Sequence, residues 1–174
     1  VFDGVFELFP SELIHIGGDE CPKARWKACP DCQALIRKLG LKDEYELQSY
    51  FVTRMEKYIN SKGRQIIGWD EILQGGLAPN AKVMSWLGEE GGIKAAQQHH
   101  EVVMSPHYKY YLDYWQADPY SEPLAMSGPT TLRTMYDYDP VPEVLTPEEQ
   151  KYIIGVEGCV WTEYMPTPER VEYM

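Results

Sequence analysis

The sequence has little of what nucleic-acid-binding and membrane-spanning proteins need. Its 174 residues include 16 lysines and arginines against 27 aspartates and glutamates, a net charge of −11, and the basic residues form no stripe. An acidic chain without a basic surface is a poor partner for a phosphate backbone. No apolar run approaches the roughly 18–20 residues that a membrane-spanning helix requires. We therefore expect neither a nucleic-acid partner nor a membrane span.

Cysteine is also scarce, and three of the four cysteines lie close together. Cys29 and Cys32 are separated by two residues and Cys21 lies nearby, a spacing found in zinc knuckles and redox motifs. A second C-x-x-C pair and a helical histidine pair, which would strengthen a zinc prediction, are missing. We expect these three residues and Cys159 to be buried or loop thiols. No metal or organic cofactor is predicted.

Five short apolar segments alternate with helical patterns and long polar stretches, which is typical of parallel β/α units. The predicted strands cover residues 13–16, 65–68, 82–85, 101–105 and 153–160. The predicted helices cover residues 31–39, 43–61 and 88–100, with a short helix from residue 146 and an irregular stretch over 108–145. None of the strands alternates between apolar and polar residues, as expected where both faces of a parallel sheet are covered.

Polar or aromatic residues stand at the carboxyl end of every predicted strand. They are Asp19 and Glu20, Trp69, Trp86, Ser105, and Trp161 with Glu163. In (β/α)8 barrels this end of the strands carries the functional site. A doubly wound sheet is the competing fold, but no glycine-rich phosphate loop follows the first strand. The predicted fold class is therefore α/β, a (β/α)8 TIM barrel, present as an incomplete C-terminal part of about five βα units.

The sharpest local signal is the segment His15-Ile-Gly-Gly-Asp-Glu20. Two glycines at a strand end permit a sharp turn and the close approach of a ligand. Asp19 and Glu20 are then neighbouring carboxyl groups, and beside apolar rings one of them can stay protonated while the other is charged. A solvated acidic turn is the alternative interpretation. The preceding strand and glycines favour a functional pair, with Trp69 and Trp161 predicted to surround Glu20. His15 is predicted to be a hydrogen-bonded interior residue.

Five motifs occur in order along the chain. They are His15-Ile-Gly-Gly-Asp-Glu20, Gly68-Trp-Asp-Glu-Ile72, Val83-Met-Ser-Trp86, Tyr111-Leu-Asp113 and Val160-Trp-Thr-Glu163. Together they resemble glycoside hydrolase family 20, the β-N-acetylhexosaminidases, from the fourth barrel strand through the eighth. The resemblance covers essentially the whole chain, and five ordered motifs at fitting spacing are highly specific.

The resemblance implies a role for each matching position. Glu20 corresponds to the general acid/base, Asp19 to the residue that orients the substrate's acetamido group, and Tyr111 to the hydroxyl that binds the acetamido carbonyl oxygen. The implied sugar-binding residues are Trp69, Trp86 and Trp161 as aromatic walls, and Asp113 and Glu163 as ligands of sugar hydroxyls. Core packing is the alternative interpretation for the three tryptophans.

The adjacency of Asp19 and Glu20 bears on mechanism. An ordinary retaining glycosidase places its acid and its nucleophile about 5–5.5 Å apart, flanking the scissile bond. Neighbouring residues point in different directions, so these two are poorly arranged as that pair. Hydrolysis assisted by the substrate's own 2-acetamido oxygen removes the difficulty. It needs one carboxylic acid for the leaving oxygen and one carboxylate for the acetamido nitrogen.

The expected function is that of an exo-β-N-acetylhexosaminidase acting on N-acetylhexosamine-terminated glycans or chitooligosaccharides. An endo-acting chitinase is disfavoured because no D-x-D-x-E segment, which places acids on one strand face, is present. A non-catalytic or weakly active carbohydrate-binding fragment is the alternative from another class. The resemblance implies a periplasmic or extracellular location.

The chain also departs from the family pattern. Residues that the family contributes from earlier strands are missing, and residues 126–131 lack an expected platform tryptophan, which Trp115 could replace. We expect residues 1–174 to form a single partial barrel domain of a longer protein. Five strands leave open sheet edges, so a homodimer that covers them and low activity of the isolated chain are predicted.

Overall fold

Short strands and helices alternate in the computed structural model, which describes residues 1–174. The chain divides into two compact units, Val1–Met84 and Ser85–Met174. Each unit contains parallel strands whose carboxyl ends lead into predicted site residues. No helix has both the length and the apolar character that crossing a membrane requires.

The first unit is built from three parallel strands and four helices. Its strands are β1 (Leu13–His15), β2 (Gln65–Trp69) and β3 (Lys82–Ser85), the last of which ends at the boundary of the unit. Its helices are α1 (Phe2–Leu8), α2 (Ala24–Ala28), α3 (Pro30–Leu39) and α4 (Glu44–Asn60), and a 3-10 turn covers Asp70–Leu73. Ile14 lies opposite Ile66 across β1 and β2, and Gly68 lies opposite Val83 across β2 and β3.

The core of the first unit lies between α4 and β2. Ile59, Ile66 and Val83 are fully buried, and burying such a side chain stabilises the fold by about 1.5–3 kcal/mol. The α4 helix begins as the sequence predicts, because the Asp43 carboxylate accepts hydrogen bonds from the first backbone N–H groups of the helix. The Glu46 carboxylate accepts from the backbone N–H of Lys42.

The second unit contains two further parallel strands, β4 (Val102–Met104) and β5 (Ile153–Val156). Its helices are α5 (Glu90–Gln97), α6 (His107–Tyr110), α7 (Leu132–Tyr136) and α8 (Pro168–Tyr173), and a 3-10 turn covers Glu149–Tyr152. Helix α5 packs closely on β4, because a Cβ at Gly92 would lie only 2.6 Å from the Met104 sulfur.

All five predicted strands are present, but several predicted bounds are wrong. The last strand ends at Val156 instead of residue 160, because the chain then leaves β5 and pairs through Cys159 with Tyr111. The stretch 108–145 is not wholly irregular, since it contains most of α6 and all of α7, and the Thr131 hydroxyl caps α7. The helix predicted over 88–100 is shorter at both ends. Helices α1, α2 and α8 were not predicted.

Candidate functional site

In the first unit, the turn after β1 requires glycine at two positions. Gly17 and Gly18 have φ angles of +68° and +103°, which side-chain-bearing residues rarely adopt. A Cβ on Gly18 would overlap the Ile72 side chain. The Gly17 carbonyl accepts a hydrogen bond of 3.0 Å from the Trp69 backbone, and the Gly18 carbonyl accepts one of 2.8 Å from the Gln48 amide. The turn is therefore fixed on both sides.

Asp19 and Glu20 follow this turn and are both exposed to solvent. The apolar surroundings predicted for Glu20 are not seen in this structure, where the residue is exposed. Glu20 has a φ of +44°, and its backbone N–H donates a 3.3 Å hydrogen bond to a carboxylate oxygen of Glu71. A non-glycine residue in this region costs about 1–3 kcal/mol, and such strain clusters at functional sites.

Trp69 is the predicted site residue that lies deepest in the first unit. It belongs to β2 itself and is 8% exposed. The His15 ring lies edge-on to it, with centroids 4.9 Å apart. His15 also accepts a hydrogen bond of 3.1 Å from the Gly17 backbone through Nδ1. The predicted interior position of His15 is wrong, because the residue is exposed. The prediction that His15 is hydrogen-bonded is confirmed.

The second unit brings Trp86 and Tyr111 together in an aromatic cluster. Their rings stack with centroids 6.2 Å apart and an interplanar angle of 17°. His107 lies edge-on to both rings, and its Nδ1 is 2.9 Å from the Tyr114 hydroxyl. Burial lowers the pKa of His107. Sequence reasoning missed His107 as a member of the site, although it follows the end of β4 by only three residues.

Tyr111 is held by backbone and side-chain contacts at once. Its backbone forms a parallel bridge with Cys159, and the neighbouring Leu112 N–H donates a 2.8 Å hydrogen bond to the Cys159 carbonyl. The Tyr111 side chain is in hydrogen-bonding reach of the Trp161 and Cys159 side chains. Burial is the main cause that raises the pKa of Tyr111. Its hydroxyl therefore remains protonated and able to donate a hydrogen bond.

Cys159, Glu157 and Ser105 form a polar network behind Tyr111. The Ser105 hydroxyl donates to Glu157 Oε2 over 2.6 Å, and the Cys159 sulfur lies 3.2 Å from the same oxygen. Ser105 and Cys159 are buried, and burial raises the pKa of Cys159 to about 12. The thiol is thus a weak, neutral donor. Sequence analysis expected a buried or loop thiol at Cys159 but did not predict this network.

Asp113 is a buried carboxylate in the same unit. It is 3% exposed, and neither carboxylate oxygen makes a hydrogen bond of good geometry. Burial raises the pKa of Asp113 to about 6, and the Glu163 charge adds to this, while the nearby Asp113 and Trp161 backbone N–H groups oppose it. A buried carboxylate with free acceptor positions is suited to bind hydroxyl groups of a ligand.

The remaining predicted residues lie on the surface of the second unit. Trp161 is 45% exposed and Glu163 is also exposed. The Trp115 backbone N–H donates to the Ser127 carbonyl over 2.7 Å, and its carbonyl accepts from the Thr130 N–H over 2.7 Å. Trp115 therefore lies beside the segment 126–131 that lacks a tryptophan. Asp19, Glu20 and Trp69 belong to the first unit, and the other predicted site residues belong to the second.

Comparison with known proteins gives matches across the chain. Residues 1–174 match the family described as glycosyl hydrolase family 20, catalytic domain. The chain is 52% identical to a beta-hexosaminidase of Porphyromonas gingivalis over 99% of this chain and 22% of that protein. It is 36% identical to a beta-hexosaminidase of Vibrio furnissii over 100% of this chain and 29% of that protein.

A solved structure shows the same likeness. The chain is similar to a GH20 exo beta-N-acetylglucosaminidase from Vibrio harveyi in complex with N-acetylglucosamine, with a TM-score of 0.85 and 32% identity. The alignment covers 98% of this chain and 27% of that one. The chain thus spans less than a third of the length of each of these three proteins. The predicted fold class, part of a (β/α)8 barrel, is confirmed by this likeness. The chain belongs to glycosyl hydrolase family 20.

Proposed function

We propose that the protein is an exo-β-N-acetylhexosaminidase that releases terminal β-linked N-acetylglucosamine or N-acetylgalactosamine from glycans or chitooligosaccharides. Membership of the family supports the proposal, and so do the relatives named beta-hexosaminidase. The observation that carries it is the cluster at Tyr111. Its buried ring stacks on Trp86, its hydroxyl is in hydrogen-bonding reach of Trp161, and the buried Asp113 carboxylate lies two residues further along the chain.

This cluster has the chemistry to hold an N-acetylated sugar. The protonated Tyr111 hydroxyl donates to the acetamido carbonyl oxygen. Flat indole faces, as at Trp86, cover the apolar side of the acetamido group and sugar ring. Asp113 accepts from sugar hydroxyls, and Glu163 adds a second carboxylate for them. Trp69, in the first unit, is proposed as a further aromatic wall.

The proposed reaction retains configuration and uses the substrate's own nucleophile. Glu20 donates a proton to the leaving glycosidic oxygen while the acetamido oxygen attacks the anomeric carbon. Asp19 stays charged and accepts a hydrogen bond from the acetamido nitrogen as positive charge develops there. Glu20 then takes a proton from water, which opens the oxazolinium ring and releases the sugar. The fixed turn at Gly17 and Gly18 supports this role, because it fixes the backbone immediately before the two carboxyl-bearing residues.

Two arms of one assay test the proposal in the full-length protein. A chromogenic N-acetyl-β-glucosaminide should be hydrolysed, whereas the matching glucoside, which lacks only the 2-acetamido group, should be turned over negligibly. Binding of N-acetylglucosamine without turnover would overturn the enzyme proposal in favour of a carbohydrate-binding role. Association with a second copy remains a separate prediction, which light scattering measures.

A further inference from the structure

Cys29 and Cys32 form a thiol pair at the start of helix α3. Pro30 is the first residue of this ten-residue helix, so Cys29 precedes it and Cys32 lies in its first turn. The Cys32 backbone N–H donates a 3.4 Å hydrogen bond to the Cys29 sulfur. Both thiols are free and partly exposed. The Cys29 sulfur therefore lies against the backbone of the turn that carries Cys32, and both thiols are accessible.

The surroundings give the two thiols different chemistry. The Cys32 backbone N–H, followed by the Cys32 thiol, lowers the pKa of Cys29. The pKa of Cys32 is raised, chiefly because its side chain bonds with the Cys29 sulfur. The Asp31 carboxylate between them acts against ionisation of both. In such pairs the thiol of lower pKa attacks and its neighbour resolves the mixed disulfide.

The backbone around the pair is anchored. The Gln33 amide donates hydrogen bonds of 3.0 Å to the Trp26 carbonyl and 2.8 Å to a Glu44 carboxylate oxygen. These bonds link the first turn of α3 to α2 and to α4. The relative position of Cys29 and Cys32 is thus fixed by contacts independent of their sulfur atoms.

Helix capping does not explain the pair. Cys29 does cap α3, but serine, threonine, aspartate and asparagine are the preferred capping residues. The Cys32 sulfur takes no part in the cap. A metal site is not supported either, because no group of three or more histidine, cysteine, aspartate or glutamate side chains is arranged to hold an ion.

We propose that Cys29 and Cys32 form a thiol–disulfide exchange site that takes low-molecular-weight disulfides of the glutathione type. The Cys29 thiolate attacks one sulfur of the small disulfide and displaces the other as a thiolate, leaving a mixed disulfide. Cys32 loses its proton, attacks the Cys29 sulfur and displaces the second small thiolate. One small disulfide is reduced to two thiols, and the protein dithiol is oxidised to a disulfide. This site is independent of the proposed hydrolase activity.

The test equilibrates the protein in graded mixtures of reduced and oxidised glutathione. Samples are quenched in acid, alkylated with a maleimide and digested with trypsin. Cleavage after Lys27 and Arg37 gives residues 28–37, which contain Cys29 and Cys32 and no other cysteine. As oxidised glutathione rises, we expect this peptide to change from a form with two maleimide groups to an unlabelled disulfide form, which is two hydrogen atoms lighter than the unlabelled dithiol. Dithiothreitol added before alkylation should restore the doubly labelled form. The peptides of Cys21 and Cys159 should carry the maleimide.

Two variants assign the roles of the thiols. Cys32→Ser should stop at a stable glutathione adduct on Cys29. Cys29→Ser should react on the order of tenfold more slowly, and it keeps α3 intact because serine is a good cap; circular dichroism checks this. A dithiol that persists at every ratio, a bond that dithiothreitol leaves intact, or an adduct on Cys21 in place of Cys29 would each overturn the proposal.

Discussion

Tyr111 and Cys159 form a parallel backbone bridge, and their side chains are in hydrogen-bonding reach of each other. The Cys159 thiol also lies 3.2 Å from a Glu157 carboxylate oxygen, to which it is suited to donate. In the free protein its sulfur is then left as an acceptor for the single proton of the Tyr111 hydroxyl, which is proposed to turn to the acetamido oxygen when substrate binds. The Trp161 side chain is in hydrogen-bonding reach of the same hydroxyl. Cys159 is therefore placed to position the Tyr111 side chain before substrate arrives.

A double-mutant cycle between Cys159 and Tyr111 tests this relationship. Cys159→Ala should lower kcat/KM for an N-acetylglucosaminide on the order of tenfold, as expected for a lost positioning contact. In a Tyr111→Phe background the same change should have almost no effect, because the hydroxyl that Cys159 positions is gone. The two losses should thus be strongly non-additive.

Conservative variants provide the control for that cycle. Cys159→Ser keeps a donor to Glu157 and should restore most of the lost kcat/KM. If Cys159→Ala has the same effect with tyrosine and with phenylalanine at position 111, Cys159 merely supports the fold. Melting temperatures of the four proteins of the cycle and of Cys159→Ser separate lost stability from lost positioning.

The buried carboxyl group of Asp113 should make the stability of the protein depend on pH. Its pKa rises from 3.8 to about 6 on folding, chiefly by burial. The folded protein therefore holds a proton between these pH values that the unfolded chain has lost, so this group makes stability fall as pH rises from about 4 to 6. The change corresponds to roughly 3 kcal/mol. Above pH 6 the carboxylate is charged, the form that its proposed role as an acceptor of sugar hydroxyls requires.

Asp113→Asn should remove this pH dependence and raise the free energy of unfolding at pH 7, while weakening sugar binding. Thermal unfolding across pH 4–8 measures the first effect, and calorimetric titration with N-acetylglucosamine measures the second. Asp118→Asn is the matched control, since Asp118 is exposed and its turn contact with the Tyr120 N–H is one that asparagine also makes. Identical pH profiles for wild type and Asp113→Asn would contradict the argument.

Much of the turn at Glu20 could be predicted from sequence, because apolar runs that end in paired glycines limit what the backbone can do. Gly17 and Gly18 do adopt positive φ angles. The exposure of Glu20 was not predicted, because it depends on the direction in which the turn leaves β1. Local sequence also misplaced the end of β5, since the pairing of Cys159 with Tyr111 is a long-range contact.

The polar network behind Tyr111 could not be predicted from the sequence either, because it also depends on long-range contacts. Ser105 and Glu157 are 52 positions apart and share a hydrogen bond. The sequence marked Ser105 only as a polar residue at a strand end, and it did not mark Glu157 at all. Cys159 stands two residues before Trp161 and is an ordinary apolar residue by composition. The pairing of β4 with β5 and the parallel bridge between Tyr111 and Cys159 bring these side chains together, and sequence periodicity does not encode such pairings.

Gly18→Ala tests how strictly the turn is built. The methyl group would overlap Ile72 and the φ of +103° would be strained. Gly63→Ala is the matched control, because its φ is +74° but nothing lies within 4 Å of the added atom. We expect about 1 kcal/mol of destabilisation from strain at Gly63 and a larger loss at Gly18, with activity reduced only at Gly18. Equal losses of stability and activity at both positions would show that the Ile72 contact is unimportant.

Glu20→Gln tests the proposed proton donor. The amide cannot protonate a leaving group, so turnover of substrates with poor leaving groups should fall on the order of 10²–10⁴-fold. Binding of N-acetylglucosamine, measured by calorimetric titration, should be largely intact. Substrates with good leaving groups need less protonation and should lose less. Near-normal hydrolysis of chitobiose by this variant would remove Glu20 from the acid role.

The proposed substrate assistance makes a prediction about inhibition. If the acetamido oxygen is the nucleophile, the intermediate is a five-membered oxazolinium ring that carries positive charge beside Asp19. A thiazoline analogue of that ring should inhibit far more tightly than N-acetylglucosamine, as expected for a mimic of the intermediate. Asp19→Asn should weaken inhibition and turnover together, because the charge-assisted contact to the ring nitrogen is lost. Tyr111→Phe should also weaken inhibition and turnover, because the hydroxyl proposed to bind the acetamido carbonyl oxygen is lost.

A trapping experiment decides between this intermediate and a covalent enzyme adduct. A 2-fluoro glycoside lacks the acetamido group, so it has no internal nucleophile and labels a protein carboxylate only where one attacks the anomeric carbon. We expect mass spectrometry of the treated protein to show no added sugar. The carboxylates to be inspected for the label are Asp19, Asp70 and Glu163. A stable adduct on any of them would establish a protein nucleophile and exclude substrate assistance, even if Glu20→Gln behaves as predicted.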